Sequence, residues 1–464
     1  MGKFIQAIYC APTGANEEHN LPDRVTDEVF STLAEAGIRQ IIGNVYDGRE
    51  ETRQKTARYC EKYGIKYYPS PRTAEEYVRV VPGVHGEKPF FELTEQEKET
   101  LDARFVAEVS NLAHYPAFGG IFFQDEAGYM SFEGIARAKH LFDKHFGEYE
   151  FYNNFFSYTI NDGIFWGGMS GKAPKEVPFS LEGDLAITFE NRFNYYDKLV
   201  EGLLTKAPFE YLSQDKYPFE NFWPKVPTAV HIALFELNAY FNEKKKKYGS
   251  KFYNYMQVGD WVDNDVRQMS FAEMSLQMHV TAAYGSDGFA YFTGCFPWDF
   301  LGAPNTERAK NGGSALIDIN GKKTKFCDWL IELNRFFAQI EEDILSCEHL
   351  GVASYGTYKN GFTMEELQDV PDSECIYTGG LSDELRYESE IEVESDNEVL
   401  VSTFEREGKK RYYLVNLSTV YDSEIKINLP DGCYEMVGAN QRVDVDTHIE
   451  LSLEAGCGVY IIEK

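Results

Sequence analysis

Carboxylates, amides and phenols at the ends of short apolar runs carry most of the chemistry that this sequence offers. The clearest case is Gly120-Ile121-Phe122-Phe123-Gln124-Asp125-Glu126-Ala127-Gly128. Gly120 to Phe123 is apolar enough to fill a strand buried on both faces, and it runs into two adjacent acids. A barrel of parallel strands presents catalytic groups in this way, at the C-terminal strand ends. Capping the next helix is the plainer role for the same pair. Asp215 follows the run Phe209 to Gln214 and leads into Lys216-Tyr217-Pro218, and Asp260 follows the run Lys251 to Gln257. Other run ends carry Tyr9, Asn44, Tyr46, Asn153, Asn154, Gln257 and Thr293. The set holds no His, no Cys nucleophile and no metal-ligand triad, so neither cofactor nor metal is expected. Glycoside hydrolysis needs this inventory: one carboxyl protonates the leaving oxygen, and a second attacks the sugar or activates water. Amides and phenols (Tyr9, Asn153, Asn154, Tyr217, Gln257) would bond sugar hydroxyls. Trp166, Trp261 and Trp298 would stack on ring faces.

Those ends belong to a repeated unit. From Lys3 to Ile340, short apolar strands alternate with amphipathic helices: Lys3–Cys10, Arg39–Tyr46, Ile65–Pro69, Gly120–Phe123, Tyr149–Phe155, Phe209–Gln214, Lys251–Gln257 and Gly288–Thr293. Helix signals fall between them. Thr26 with Asp27 and Glu28 opens one helix, and Thr94…Glu97 is a capping box. Ser270…Glu273 is another, which assigns Glu273 to capping rather than to catalysis. Lys244–Lys247 is a solvated basic end of a helix. Two long loops, Arg72 to Glu92 and Ser157 to Glu182, lack clear periodicity. Eight strand–helix units in this length predict a (β/α)₈ TIM barrel, α/β in class, over residues 1–345. No Gly-rich phosphate loop follows the first strand, which argues against an open nucleotide-binding sheet. From residue 346 to 464 period-two runs replace the helices, as at Glu398–Phe404, Arg411–Asn416, Glu424–Leu429 and Gly458–Ile462. They predict a C-terminal antiparallel β-sandwich, for which packing on the barrel is the plainer role and glycan binding the sharper one.

The chain has 464 residues, enough for two domains, and a formal charge of −30. That charge disfavours nucleic acid and anionic membrane as partners and suits neutral ligands. Tyr and Phe number 31 and 34, enough for some to line a carbohydrate cleft, although most must be ordinary core and sheet residues. Eight cysteines at irregular spacing, with no C-x-x-C, are expected to be reduced and place the chain in the cytoplasm. No membrane span and no signal peptide are expected. Oligomeric state is not readable.

The motifs Gln124-Asp125-Glu126, Tyr152-Asn153-Asn154-Phe155-Phe156, Ser213-Gln214-Asp215-Lys216-Tyr217-Pro218-Phe219 and Ala283-Tyr284-Gly285-Ser286-Asp287-Gly288-Phe289-Ala290-Tyr291-Phe292-Thr293 resemble those of bacterial barrel proteins related to glycoside hydrolase clan A, the family 42-like β-galactosidases. The resemblance runs over about residues 3–345 and extends to a C-terminal β-domain. It implies that Glu126 is the strand-four acid/base. It also implies a nucleophilic Glu at the end of strand seven, where this chain has Gln257. The second carboxylate must then be Asp215, Asp260 or, with a substrate acetamido group, Asp125.

The reading is a glycosidase acting on O-glycosidic bonds of a neutral oligo- or polysaccharide. Glu126 and Asp215 are catalytic; Asp125, Asn153, Asn154, Tyr217, Gln257, Asp260, Trp166, Trp261, Trp298 and Tyr9 bind substrate. The alternatives are a non-catalytic carbohydrate-binding barrel, a substrate-assisted hexosaminidase using Asp125 and Glu126, and a barrel lyase or isomerase.

Overall fold

The computed structural model describes residues 2–17, 21–43, 48–83, 85–220, 223, 225–258, 268–295, 315–381, 387, 389–438 and 441–464. Eight parallel strands make a closed ring: β1 (Ile5–Tyr9), β2 (Gln40–Ile42), β3 (Lys66–Tyr68), β4 (Gly120–Gln124), β5 in two pieces (Glu150–Asn153 and Phe155–Phe156), β6 (Tyr211–Asp215), β7 (Lys251–Gln257) and β8 (Gly288–Phe292). Ladders join β3–β2–β1–β8–β7–β6, and β6 pairs with the second piece of β5 through Phe155 opposite Gln214. The first piece of β5 pairs with β4. The ring closes between β3 and β4 at one parallel bridge, Tyr67 to Phe118, where Gly119 N–H donates to Tyr67 O at 2.9 Å.

Helices pack outside the ring, and their ends obey local chemistry. Helix α1 (Asp27–Glu35) starts at Thr26, whose side chain accepts from Val29 N–H. Helix α2 (Glu50–Tyr63) stops at Gly64, which takes φ 67°, a value that costs glycine nothing. The loops between Arg72 and Glu92 and between Ser157 and Glu182 are less bare than expected. They hold the short helix α3 (Ala74–Val78) and the turn Phe90–Glu92 in the first, and the helix Asp162–Gly167 in the second. The capping boxes at Thr94/Glu97 and Ser270/Glu273 both form.

Period-two alternation decides what fills the barrel. Tyr9, Tyr68, Phe122, Tyr152, Tyr211, Tyr253, Tyr255 and Phe292 point inward and pack together. Ile121, Phe123, Phe151, Phe155 and Leu212 point outward into the helix layer. The inward tyrosines are tied by their hydroxyls: Tyr152 Oη donates to Tyr255 Oη at 3.0 Å, and Tyr211 Oη donates to Glu150 Oε1 at 2.7 Å. Six of the 31 tyrosines therefore fill the barrel.

After the helix Lys325–Ile344, two antiparallel sheets of six and three strands follow, starting at Glu348–Tyr355, and share one apolar core. Four of these strands lay outside the expected runs: Glu348–Tyr355, Tyr434–Val437, Arg442–Val445 and His448–Leu453. The first is broken by an irregularity between His349 and Gly351, which hides its alternation. The sandwich docks on the barrel through Arg411, whose guanidinium takes Asp343 at 3.0 and 3.2 Å, and through His279 Nδ1, 2.6 Å from Tyr413 Oη. Its linking segment also reaches the barrel mouth, where Ile232 N–H donates to Cys375 O and Tyr377 N–H to Val230 O. The described residues contain no helix long and apolar enough to cross a membrane, and all eight cysteines are free thiols.

Candidate active site

Strand β4 does not end as a regular strand. Its register with β5 shifts between Phe122 and Gln124, and Glu126 adopts φ 50°, the left-handed region that a residue with a Cβ enters only under strain. The backbone is pinned there by Glu126 N–H to Asn154 O and Asn154 N–H to Gln124 O, both 3.1 Å. This turn sends Asp125 and Glu126 in different directions from adjacent positions.

Asp125 is fully engaged. Tyr9 Oη donates to its Oδ2 at 2.9 Å and Asn154 Nδ2 to its Oδ1 at 3.0 Å. Asn154 is itself held by Ser213 Oγ at 2.6 Å, and Ser213 by Tyr152 Oη at 2.6 Å. Burial raises the Asp125 pKa, and the Asn154 and Tyr9 donors pull it back. Both carboxylate oxygens serve the scaffold, which weakens the reading of Asp125 as the group that steers a substrate acetamide.

Glu126 instead meets Asp215, brought by the end of β6. The two carboxyls are in hydrogen-bonding contact. Asp215 Oδ1 is buried with no N–H or hydroxyl donor, and Tyr217 Oη stands 3.5 Å from Oδ2. A proton on Glu126 adds a donor to this pair, beside Tyr217 Oη and the Asn154 amide. Burial pushes the Glu126 pKa well above the usual carboxylate range, and the negative charges of Asp215 and Asp125 push it further. Asp215 rises to about 7, first through burial and then through Asp125, while the bond from Glu126 lowers it. The arrangement puts the shared proton on Glu126 and the charge on Asp215, as two touching carboxyls cannot both ionise.

Both carboxyls have folded-state pKa values above their unfolded ones. The stability they contribute is complete below about pH 4 and drains as pH rises, through about 7 for Asp215. Asp215→Asn escapes that loss. Its thermal midpoint should match wild type near pH 4 and exceed it at pH 8, by the equivalent of at least about 1 kcal/mol. An offset of the same size at both pH values would show that the charge of Asp215 is not the cause.

Glu126, Asp215 and Tyr217 stand where two cavities meet at the C-terminal mouth of the barrel. One, of 650 Å³, runs over β5 and β6 and is walled by Tyr158, Ile160, Phe189, Arg192, Lys216 and Glu220. The other, of 540 Å³, runs over β1 to β4 and is walled by Tyr9, Arg53, Ser70, Arg72, Phe122 and Phe292. The cations of the first lobe are already paired. Arg192 Nε donates to Glu236 at 3.0 Å, and Lys216 bridges to Glu220. Among the described residues no group of three or more His, Cys, Asp and Glu side chains has a metal-holding arrangement.

The structure thus gathers Glu126, Asp215, Tyr217, Asp125 and Tyr9 at one mouth and sends other expected binders elsewhere. Asn153 is fully buried and bonds Asn154 O at 3.1 Å. It shares the outward parity of Phe151 and Phe155, so it faces the helix layer and not the cleft. Gln257 is fully buried and accepts from Phe219 N–H at 3.2 Å, beneath the loop that follows β6. Asn154 lies behind Asp125 as a positioning residue. Trp166 is 4% exposed and packed between Tyr129, Phe165 and Phe179, so it offers no stacking face. Asp260, Trp261 and Trp298, with Asn44 and Tyr46, lie outside the described residues.

Two groups of site residues escaped the sequence reading. Asp372, Glu374 and Cys375 of the C-terminal segment line the larger lobe, a position that packing alone does not call for. They follow a turn at Asp372 (φ 53°), itself held by Trp223 Nε1 donating to Pro371 O at 3.2 Å. Arg53 and Arg72 line the smaller lobe from α2 and from the Pro69-Ser70-Pro71 turn. No periodic signal marks either group; the turn after β3 was the only hint.

No family model matches this chain, and no curated protein sequence matches it. Solved structures share its fold. A β-galactosidase from Bacillus circulans sp. alkalophilus aligns over all of this chain and 99% of its own, at 10% identity and a TM-score of 0.52. Gan42B, a GH42 β-galactosidase from G. stearothermophilus, aligns over all of this chain and 98% of its own at 10% identity and TM-score 0.51. A family 39 glycoside hydrolase from Bacteroides cellulosilyticus WH2 aligns over 99% of this chain and 80% of its own, at 12% identity and TM-score 0.51. At such identities the likeness is one of fold: a barrel followed by β-domains.

Proposed function

We propose that this chain is a glycoside hydrolase. Glu126 protonates the glycosidic oxygen, and Asp215 is the second carboxylate, acting as nucleophile or base. The observation that carries the reading is the Glu126–Asp215 contact at the junction of two lobes. Burial and mutual repulsion favour the proton on Glu126 and the charge on Asp215, which is the division of labour that glycosidic cleavage requires. A sugar on each side of the scissile bond has a lobe to occupy, and Tyr217 reaches both. The barrel proteins of like fold are named as glycoside hydrolases, which supports the reaction class without choosing the sugar.

The reacting atoms of a bound sugar have to come between these two carboxyls, which touch in the resting site. The partner is an oligo- or polysaccharide, and the free thiols suit a reducing, cytoplasmic setting.

The test is turnover. Purified protein, offered a panel of 4-nitrophenyl glycosides across pH 5–8, should release nitrophenol from at least one, and Asp215→Asn should abolish that release. Glycan binding by calorimetry with no release from any substrate would select a non-catalytic carbohydrate-binding barrel instead.

A further inference from the structure

The smaller lobe holds two guanidinium groups that no ion pair neutralises among the described residues, although the charge of Glu50 reaches both. Arg53 is 6% exposed; its Nη2 donates to Ser70 O at 3.2 Å, and its Nε is buried without a partner. Arg72 Nη2 donates to Gly48 O at 2.6 Å. A Cβ placed on Gly48 would stand 3.8 Å from Nη2 of both arginines, so the two forks flank the same glycine. Among the described residues neither arginine makes an ion pair. The nearby acids are turned to other donors. Glu50 takes Tyr115 Oη at 2.6 Å, Glu108 takes the N–H groups of Arg72 and Thr73, and Glu75 pairs with Arg79.

A buried guanidinium with an unanswered N–H is costly unless a ligand supplies the acceptor. Asp125 and Glu126 line the same lobe, yet the first is saturated by Tyr9 and Asn154, and the second holds Asp215. The cations remain for the ligand. The formal charge of −30 does not oppose this, because fields from surface charges fade beyond about 8 Å at physiological salt.

We propose that the lobe formed by Arg53 and Arg72 binds an anionic group on the sugar, so that the substrate is an acidic glycoside and not a neutral one. This rests on the glycosidase reading for the word glycoside, but the anion site stands on its own geometry. A carboxylate and a sulfate ester share the chemistry, as both present paired oxygens to a guanidinium fork.

The experiment has a binding arm and a turnover arm. Calorimetry compares glucuronate and galacturonate with glucose and galactose, and with glucose 6-sulfate to separate carboxylate from sulfate. Turnover compares 4-nitrophenyl uronides with the matching neutral glycosides. The expected result is binding of an acidic sugar, weakened about ten- to a hundredfold in Arg72→Ala, and a uronide or sulfated glycoside preferred over its neutral partner. Arg72 is exposed, so its loss should leave the fold intact; Arg53→Lys, which keeps charge but not the fork, should weaken binding less. Acidic-sugar binding without turnover of any glycoside would support the anion site and sink the glycosidase reading. Turnover of neutral glycosides with no preference for acidic ones, or no acidic-sugar binding, would overturn the proposal.

Discussion

Glu126→Gln is expected to lower kcat/KM for a glycoside with a poor leaving group by about 10²–10⁴-fold, the range that a positioned acid contributes. The amide preserves shape and can still donate an N–H to Asp215, so the pair should stay assembled. It has no proton to give to a departing alkoxide. With a leaving group that departs as a stable anion, such as 2,4-dinitrophenolate, the loss should shrink to within about tenfold, because little protonation is needed there. The contrast separates acid catalysis from a structural role, since a disordered site would slow both substrates alike. Asp215→Asn should behave differently and slow both, as the charge that attacks or activates water is lost regardless of the leaving group. Equal losses on both substrates in Glu126→Gln would remove Glu126 as the acid.

The second large effect comes from a residue with no side chain. Gly128, two residues past Glu126, lies against the backbone of the loop Ser157 to Glu182. A Cβ there would fall 2.2 Å from Gly168 N and 2.7 Å from Trp166 O. On the facing side, a Cβ on Gly168, which holds φ 61°, would fall 2.7 Å from Glu126 O. These are backbone contacts, and they cannot turn aside as a flexible side chain can. Gly128→Ala must therefore push the loop and the Asp125–Glu126 turn apart. We expect kcat to fall about a hundredfold, as misplacement by about 1 Å does to a catalytic group, with a stability cost of about 1–3 kcal/mol. Thermal unfolding beside kcat distinguishes the two effects. Unchanged kcat in a folded Gly128→Ala protein would mean that the glycine contact does not position Glu126.

The acids were legible in the sequence because each ends an apolar run, and a parallel strand can only deliver its last residues to one side of the barrel. The boundaries of β7 were readable for the same reason: Lys251–Gln257 has no competing helical period. Orientation within a strand end was harder. Asn153 and Asn154 look equivalent as letters, and only the parity set by inward Tyr152 and outward Phe151 sends one behind Asp125 and the other into the helix layer. Trp166 read as an exposed stacking ring because its loop has no periodicity, yet α-helical Asp162–Gly167 folds it under Tyr129 and Phe179. The Asp372–Cys375 wall and the Arg53–Arg72 pair were invisible for another reason. They reach the cleft by tertiary packing from far along the chain, and a cation that answers a ligand resembles, in sequence, any cation on a helix.

The pH dependence of kcat/KM tests the central claim most directly, because it reads the proton that Glu126 and Asp215 share. Wild type should give a bell whose acidic limb lies near pH 7, where Asp215 ionises, and whose alkaline limb lies higher, where Glu126 loses its proton. Glu126→Gln, assayed on 2,4-dinitrophenyl glycosides, should keep the acidic limb and lose the alkaline one. A profile centred near pH 4, or an alkaline limb that persists in Glu126→Gln, would contradict the shared-proton pair.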